Sequence, residues 1–164
     1  ISRKKYDSFE PGSVFLGYKS IGNLFDVKHK TIIKLKTIFI DKVNEYINIY
    51  KSKDDNYIQK FPKKNILKGW YIRLKKGGGI DYHIHNSWLS GVFYSQLPAK
   101  NDSGTLDFSI INSNFKKEKE FTKSVKPNVG KLIFFPSSLY HRVSTFKKDK
   151  YRISIAFDVV PLWD

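Results

Sequence analysis

Three of the four histidines in this 164-residue chain fall in two short segments, His83-Ile84-His85 and Leu139-Tyr140-His141, and Arg152-Ile153-Ser154 follows eleven residues after the second. Imidazole nitrogens suit first-row divalent metals. A His-x-His pair on a strand presents both rings to one face, because side chains alternate with a period of two. A third histidine from a distant strand would complete one face of a coordination sphere. Arg152 and Ser154 also share a strand face, with Ile153, Ile155 and Phe157 on the other. An inward guanidinium beside an inward hydroxyl is costly to bury without an anion, and together they form a good carboxylate fork. The pattern reads as an iron site with an anion clamp beside it.

The remaining residues must build the frame for this constellation. Thr31 to about Tyr50 carries Ile32, Leu35, Ile38, Phe39, Val43, Tyr46 and Ile47 at spacings of three and four, which predicts an amphipathic helix. After Pro62 the pattern changes to strands: Ile66 to Leu74, Ile80 to His85 beyond a turn at Gly77-Gly78-Gly79, Trp88 to Gln96, Gly104 to Ile111, Lys131 to Phe135, Tyr140 to Thr145 and Tyr151 to Val160. The triple glycine lacks the spacing of a phosphate loop and has no helix behind it, so it reads as a turn. Residues 1–30 show no sustained period but contain the turn signals Pro11-Gly12, Gly17 and Gly22, as in a lead-in with one or two short strands. Seven or eight strands after one helix predict a mainly β antiparallel sandwich or jelly roll with the helix packed on it. No repeat or linker divides the chain, so a single domain over 1–164 is expected, with 1–62 as lead-in and helix and 63–164 as core.

Composition narrows the function. There is no Cys, so disulfides and thiolate metal sites are excluded and any metal falls to His, carboxylate or water. No apolar run approaches the roughly 20 residues that span a bilayer, and Ile-Ser-Arg-Lys-Lys-Tyr at the start lacks the apolar stretch of a secretory signal. No membrane partner and a cytoplasmic location are expected. The chain begins at Ile1 and has no Met, which reads as a piece processed or excised from something longer. Thirty Lys and Arg against fifteen Asp and Glu give a formal charge of +15, a field that attracts polyanions. The cations are mostly scattered lysines, however, a weak form of the nucleic-acid footprint, so nucleic acid is the minor reading of the partner.

Taken together, His-x-His, a distal His and Arg-x-Ser resemble the iron(II)- and 2-oxoglutarate-dependent oxygenases, and the run His141-Arg142-Val143-Ser144-Thr145 through Tyr151-Arg152-Ile153-Ser154-Ile155-Ala156-Phe157 is similar to the C-terminal strands of that superfamily. A narrower resemblance rests on His83 to Tyr94 (HIHNSWLSGVFY) and Phe135 to His141 (FPSSLYH). These segments resemble a group of uncharacterised 2-oxoglutarate–Fe(II) oxygenases common in marine bacteria and their phages. The resemblance covers about residues 65 to 160.

It implies a double-stranded β-helix that holds Fe(II) with 2-oxoglutarate as cosubstrate, and a dioxygenase that hydroxylates an unidentified small-molecule, peptide or protein substrate with release of succinate and CO2. By position, His83 and His141 match the two histidine ligands, and His85 sits where most members carry Asp or Glu. Asp81, on the same strand face as His83, is the competing acidic ligand. Arg152 matches the residue that pairs with the distal carboxylate of 2-oxoglutarate and Ser154 its hydroxyl helper, with Tyr94 and Ser90 as weaker candidates for the clamp. Trp70, Trp88, Phe93 and Tyr94 are candidates to line the pocket.

Two other readings compete. A cupin-like three-histidine protein would need no cosubstrate, but the Glu that normally follows the first cupin motif is missing from residues 86–91, Asn-Ser-Trp-Leu-Ser-Gly. A non-catalytic basic module would bind polyanions and survive loss of all three histidines.

Overall fold

The computed structural model describes residues 3–4, 14–53, 55–98, 102–110 and 122–162. The turn expected at Pro11-Gly12 and the last residue of the strand expected to reach Ile111 lie outside them. The described elements are β1 (Arg3–Lys4), β2 (Val14–Ser20), a 3-10 turn (Leu24–Asp26), α1 (Lys30–Lys51), α2 (Asn56–Gln59), β3 (Asn65–His83), β4 (Leu89–Gln96), β5 (Leu106–Ser109), β6 (Thr122–Val125), β7 (Leu132–Pro136), β8 (Tyr140–Val143) and β9 (Arg152–Pro161). All strand pairings are antiparallel. The sheet runs β6-β5-β8-β3-β9-β4-β7, with β2 alongside β3 and β1 alongside β2.

The long strand β3 joins two halves of this curled sheet. Its residues 65–74 pair with β9, whereas Ile80 and His83 pair with β8. One half is therefore β3-β9-β4-β7, and the other is β3-β8-β5-β6. Val14, Ile72, Leu74, Ile80, Leu106, Phe135, Val143, Phe146 and Ala156 form the apolar cluster shared by the two halves. The fold is a double-stranded β-helix, or jelly roll.

The triple glycine differs from its sequence reading. It does not turn the chain but lies inside β3, where the strand passes from one half of the sheet to the other. Gly77 has φ +76°, and a Cβ on Gly79 would stand 2.7 Å from the Val143 carbonyl and 2.6 Å from the Phe15 ring. Close approach of the neighbouring strands, rather than a reversal, requires glycine here.

Helix α1 extends the expected segment by one residue at each end. His29 caps it, its Nδ1 accepting the Thr31 N–H at 3.3 Å, which accounts for the fourth histidine. Phe39 and Val43 are buried against Phe157, Val159, Leu67 and Leu89 of the sheet's outer face, with Ile32, Leu35, Tyr46 and Ile47 packed around them. Ile38, read as part of the apolar stripe, is 43% exposed. The short α2, not foreseen, is capped by Asp55, whose side chain accepts the N–H groups of Tyr57 and Ile58. Strand β6 had no apolar alternation to reveal it, since Thr122, Lys123 and Ser124 are exposed.

Candidate metal centre

His83 is the last residue of β3, and His141 faces it across the ladder as its register partner on β8. Their ring centroids are 4.2 Å apart. The expected strand does not reach His85, because the chain leaves the sheet after His83. The His85 N–H instead donates to the Ser137 carbonyl at 2.9 Å, which ties the loop after β3 to the turn between β7 and β8. The ring thereby returns to within 5.0 Å of His83 and 4.9 Å of His141. One ligand atom from each of the three histidines lies within 4.8 Å of the others. Asp81 is exposed and outside this group; its backbone carbonyl, 2.8 Å from His83 Nδ1, is what touches the site.

The ring nitrogens have divided roles. His83 Nδ1 lies 2.8 Å from the Asp81 carbonyl and His141 Nδ1 2.9 Å from the Leu139 carbonyl. A carbonyl only accepts, so each Nδ1 carries the proton and each Nε2 keeps its lone pair. Burial pushes the His83 pKa down to about 4, with the Asp81 carbonyl opposing and the charges of His85 and Lys19 assisting. Burial, and then the neighbouring His83, pushes His141 down to about 3. Both imidazoles are neutral near pH 7, the state that binds a metal.

A cavity of about 440 Å³ opens in front of the histidines, with Arg152 and Ser154 in its wall. The alternation along β9 explains this. Arg152, Ser154, Ala156 and Asp158 line the cavity, while Ile155, Phe157 and Val159 pack on the face that carries α1. Arg152 is 1% exposed. Its Nη1 donates to Ser154 Oγ at a long 3.4 Å, and among the described residues its Nε and Nη2 meet no acceptor within hydrogen-bonding geometry. Burial holds the guanidinium pKa below its ordinary value, opposed by the adjacent Tyr94 hydroxyl.

A buried cation with two orphaned donors is expensive unless an anion completes it. The donor set and the orphaned guanidinium therefore fit a divalent metal and a carboxylate ligand in one cavity.

The other expected residues separate into groups. Tyr94 sits across from Ser154 in the β4–β9 register, its ring 5.0 Å from the Arg152 guanidinium carbon. Ser90, four residues earlier, lies across from Asp158 and bonds to that carboxylate at 2.7 Å, away from Arg152. Trp70 lines the cavity. Trp88 instead stacks on Tyr57, and Phe93 packs against Phe39 of α1.

Two charged cavity residues were missed in the sequence. Asp158 lies on the Arg152 face of β9 and was reachable by continuing the same alternation two steps past Ser154. Lys19 of β2 lines the cavity with its Nζ 4.3 Å above the Trp70 ring. Burial lowers its pKa and Asp158 opposes that. It lies in a segment without a sequence period, so no signal marked it.

Residues 68–158, more than half of the chain, match the model of the family described as "Putative 2OG-Fe(II) oxygenase". The chain belongs to this 2OG-Fe(II) oxygenase family. The match spans both histidine segments and the β9 arginine, and members of the family use Fe(II) and 2-oxoglutarate.

Solved structures give the oxygenase the same fold. The prolyl-4-hydroxylase of Pseudomonas putida aligns over 90% of this chain and 73% of its own, with TM-score 0.63 and 15% identity. The viral collagen prolyl hydroxylase of Paramecium bursaria Chlorella virus-1, solved as a 2OG complex, aligns over 89% and 79%, with TM-score 0.60 and 14% identity. No curated protein matches the oxygenase sequence significantly. Among the described residues, no helix is long and apolar enough to cross a membrane.

Proposed function

We propose that His83, His85 and His141 hold the Fe(II) of this oxygenase through their Nε2 atoms, and that Arg152, with Ser154 and Tyr94, holds the far carboxylate of 2-oxoglutarate. The observation that carries this reading is Arg152, a buried guanidinium in the wall of the cavity that the histidines face, with two N–H groups that no acceptor among the described residues satisfies. A metal protein working without a cosubstrate has no use for such a group. With iron and 2-oxoglutarate bound, the centre supplies oxidative chemistry that consumes O2, forms succinate and CO2, and hydroxylates a C–H bond of the substrate.

The protein's part is binding, orientation and exclusion of water. His83 and His141 are fixed by their Nδ1–H bonds to backbone carbonyls, so their rings need no reordering to bind metal. Arg152 and Ser154 present a fork to one carboxylate, and the Tyr94 ring backs the guanidinium. Ile72, Val92, Leu106, Phe135 and Val143 give the cavity apolar walls. Ser90 is better explained by its bond to Asp158 than by the clamp. The whole chain, 1–164, works as one domain, with α1 bracing the outer face of the sheet that carries β9.

The substrate is a small molecule or a peptide taken into the cavity, whose lining also includes Trp70, Lys19 and the exposed Asn86. Succinate release from 2-oxoglutarate by the Fe(II)-loaded protein, with wild-type and Arg152→Ala compared, tests the reading. Wild-type should form succinate and the variant should lose 2-oxoglutarate binding while it keeps Fe(II). Equal binding of 2-oxoglutarate by both would overturn it.

A further inference from the structure

The three imidazoles of this site are not equivalent. His83 and His141 each give the Nδ1–H to a backbone carbonyl. His85 lies with its Nδ1 2.7 Å from Asp158 Oδ1. A carboxylate oxygen accepts, so this Nδ1 also carries the proton and leaves Nε2 with the lone pair that a metal would take.

Asp158 is itself held. Ser90 Oγ donates to the same Oδ1 at 2.7 Å, and lies 2.8 Å from Ser137 Oγ. Ser90 and Ser137 are 1% and 0% exposed. The Ser137 carbonyl, in turn, accepts the His85 backbone N–H. Asp158, Ser90, Ser137 and His85 thus close a ring of hydrogen bonds behind one imidazole, in a largely buried place where water screens it little.

Charge gives this ring a purpose. Facial sites for non-haem Fe(II) combine two histidines with one carboxylate, whereas three neutral imidazoles leave the ion's full double positive charge uncompensated. A carboxylate bonded to the remote nitrogen of a ligating imidazole raises the basicity of that ligand and fixes its ring.

We propose that Asp158 is the positioning residue of this centre, supplying through His85 the negative charge that the three-histidine ligand set lacks, with Ser90 holding the carboxylate in line. The inference rests on His85 being a ligand, as proposed above. Arg152 and Ser154 then serve the cosubstrate while Asp158, on the same face of β9, serves the metal. One strand face carries both functions, six residues apart.

The test uses the anaerobic full chain and two readouts besides turnover, the Fe(II) dissociation constant and the Fe(III)/Fe(II) midpoint potential. Asp158→Asn keeps the shape and removes the charge; it should weaken Fe(II) binding by about 10- to 100-fold and raise the potential, because the oxidised ion loses more from the missing anion. Asp158→Glu should restore part of both. Ser90→Ala should weaken binding less than Asp158→Asn.

A shift in affinity without one in potential means that Asp158 only shapes the loop, and overturns the charge role. Unchanged affinity and potential in Asp158→Asn, with His85→Ala strongly weakened, overturns the inference alone. If His85→Ala itself binds Fe(II) like wild-type, the assignment of His85 as a ligand has failed. A loss in Asp158→Asn far beyond that in His85→Ala makes Asp158 a direct ligand and overturns the role assigned here.

Discussion

His83 and His141 are register partners on antiparallel strands, and each fixes its ring in the same way, by giving the Nδ1–H to the carbonyl two residues before it. Two copies of one local device, brought face to face by the β3–β8 ladder, make the rigid half of the site. His85 completes it from a loop. His141→Ala and His83→Ala should therefore each reduce Fe(II) affinity by at least 100-fold, with the apo fold retained by circular dichroism. His29→Ala, which removes only a helix cap, should leave affinity unchanged and lower stability by about 1 kcal/mol.

The clamp should behave as a charge fork rather than as a point charge. Arg152→Lys keeps the charge and loses the paired donors, so 2-oxoglutarate affinity of the Fe(II)-loaded protein should fall about tenfold, and Arg152→Ala should lose it by 100-fold or more. Ser154→Ala should weaken it only a few-fold. Calorimetric titration of 2-oxoglutarate under argon reads all three.

Acid should weaken the apo protein through the same histidines. The folded-state pKa values of His83 and His141 lie at about 4 and about 3, below the ordinary 6.5. Between these values and 6.5 the unfolded chain binds more protons than the folded one, so stability falls as pH falls. The slope approaches about 1.4 kcal/mol per pH unit for each histidine. Urea unfolding at pH 7.5 and pH 5 should show this loss, and the double variant His83→Gln/His141→Gln should flatten it.

The bend in β3 gives a further check on the frame. Gly79→Ala places a Cβ against the Val143 carbonyl and the Phe15 ring, which should destabilise the fold by about 1–3 kcal/mol and weaken metal binding, since β3 delivers His83. Gly22, at positive φ (+76°) with open space around it, should cost only backbone strain when changed to Ala. Thermal unfolding of the two variants separates the effects.

Much of this was legible in the residues. The alternation of β9 gave Arg152 and Ser154 a common face, and the apolar spacing of α1 found its buried side within a residue of each end. What escaped did so for physical reasons. Gly77-Gly78-Gly79 carries a turn's composition but serves strand crowding, which depends on β2 and β8, far away in sequence. His85 has strand-like spacing to His83, yet it is positioned by a bond to Ser137. Ser90 is drawn to Asp158 by cross-strand register, which no local pattern encodes. Lys19 meets Trp70 only because β2 lies beside β3.

The most direct test is an anaerobic crystal structure of the protein with Fe(II) and 2-oxoglutarate. The account predicts one iron bonded to Nε2 of His83, His85 and His141, with Asp158 behind His85 and the distal carboxylate of 2-oxoglutarate on Arg152. An iron bonded to Asp81 or Asp158 in place of His85, or a 2-oxoglutarate that leaves Arg152 unpaired, would contradict it.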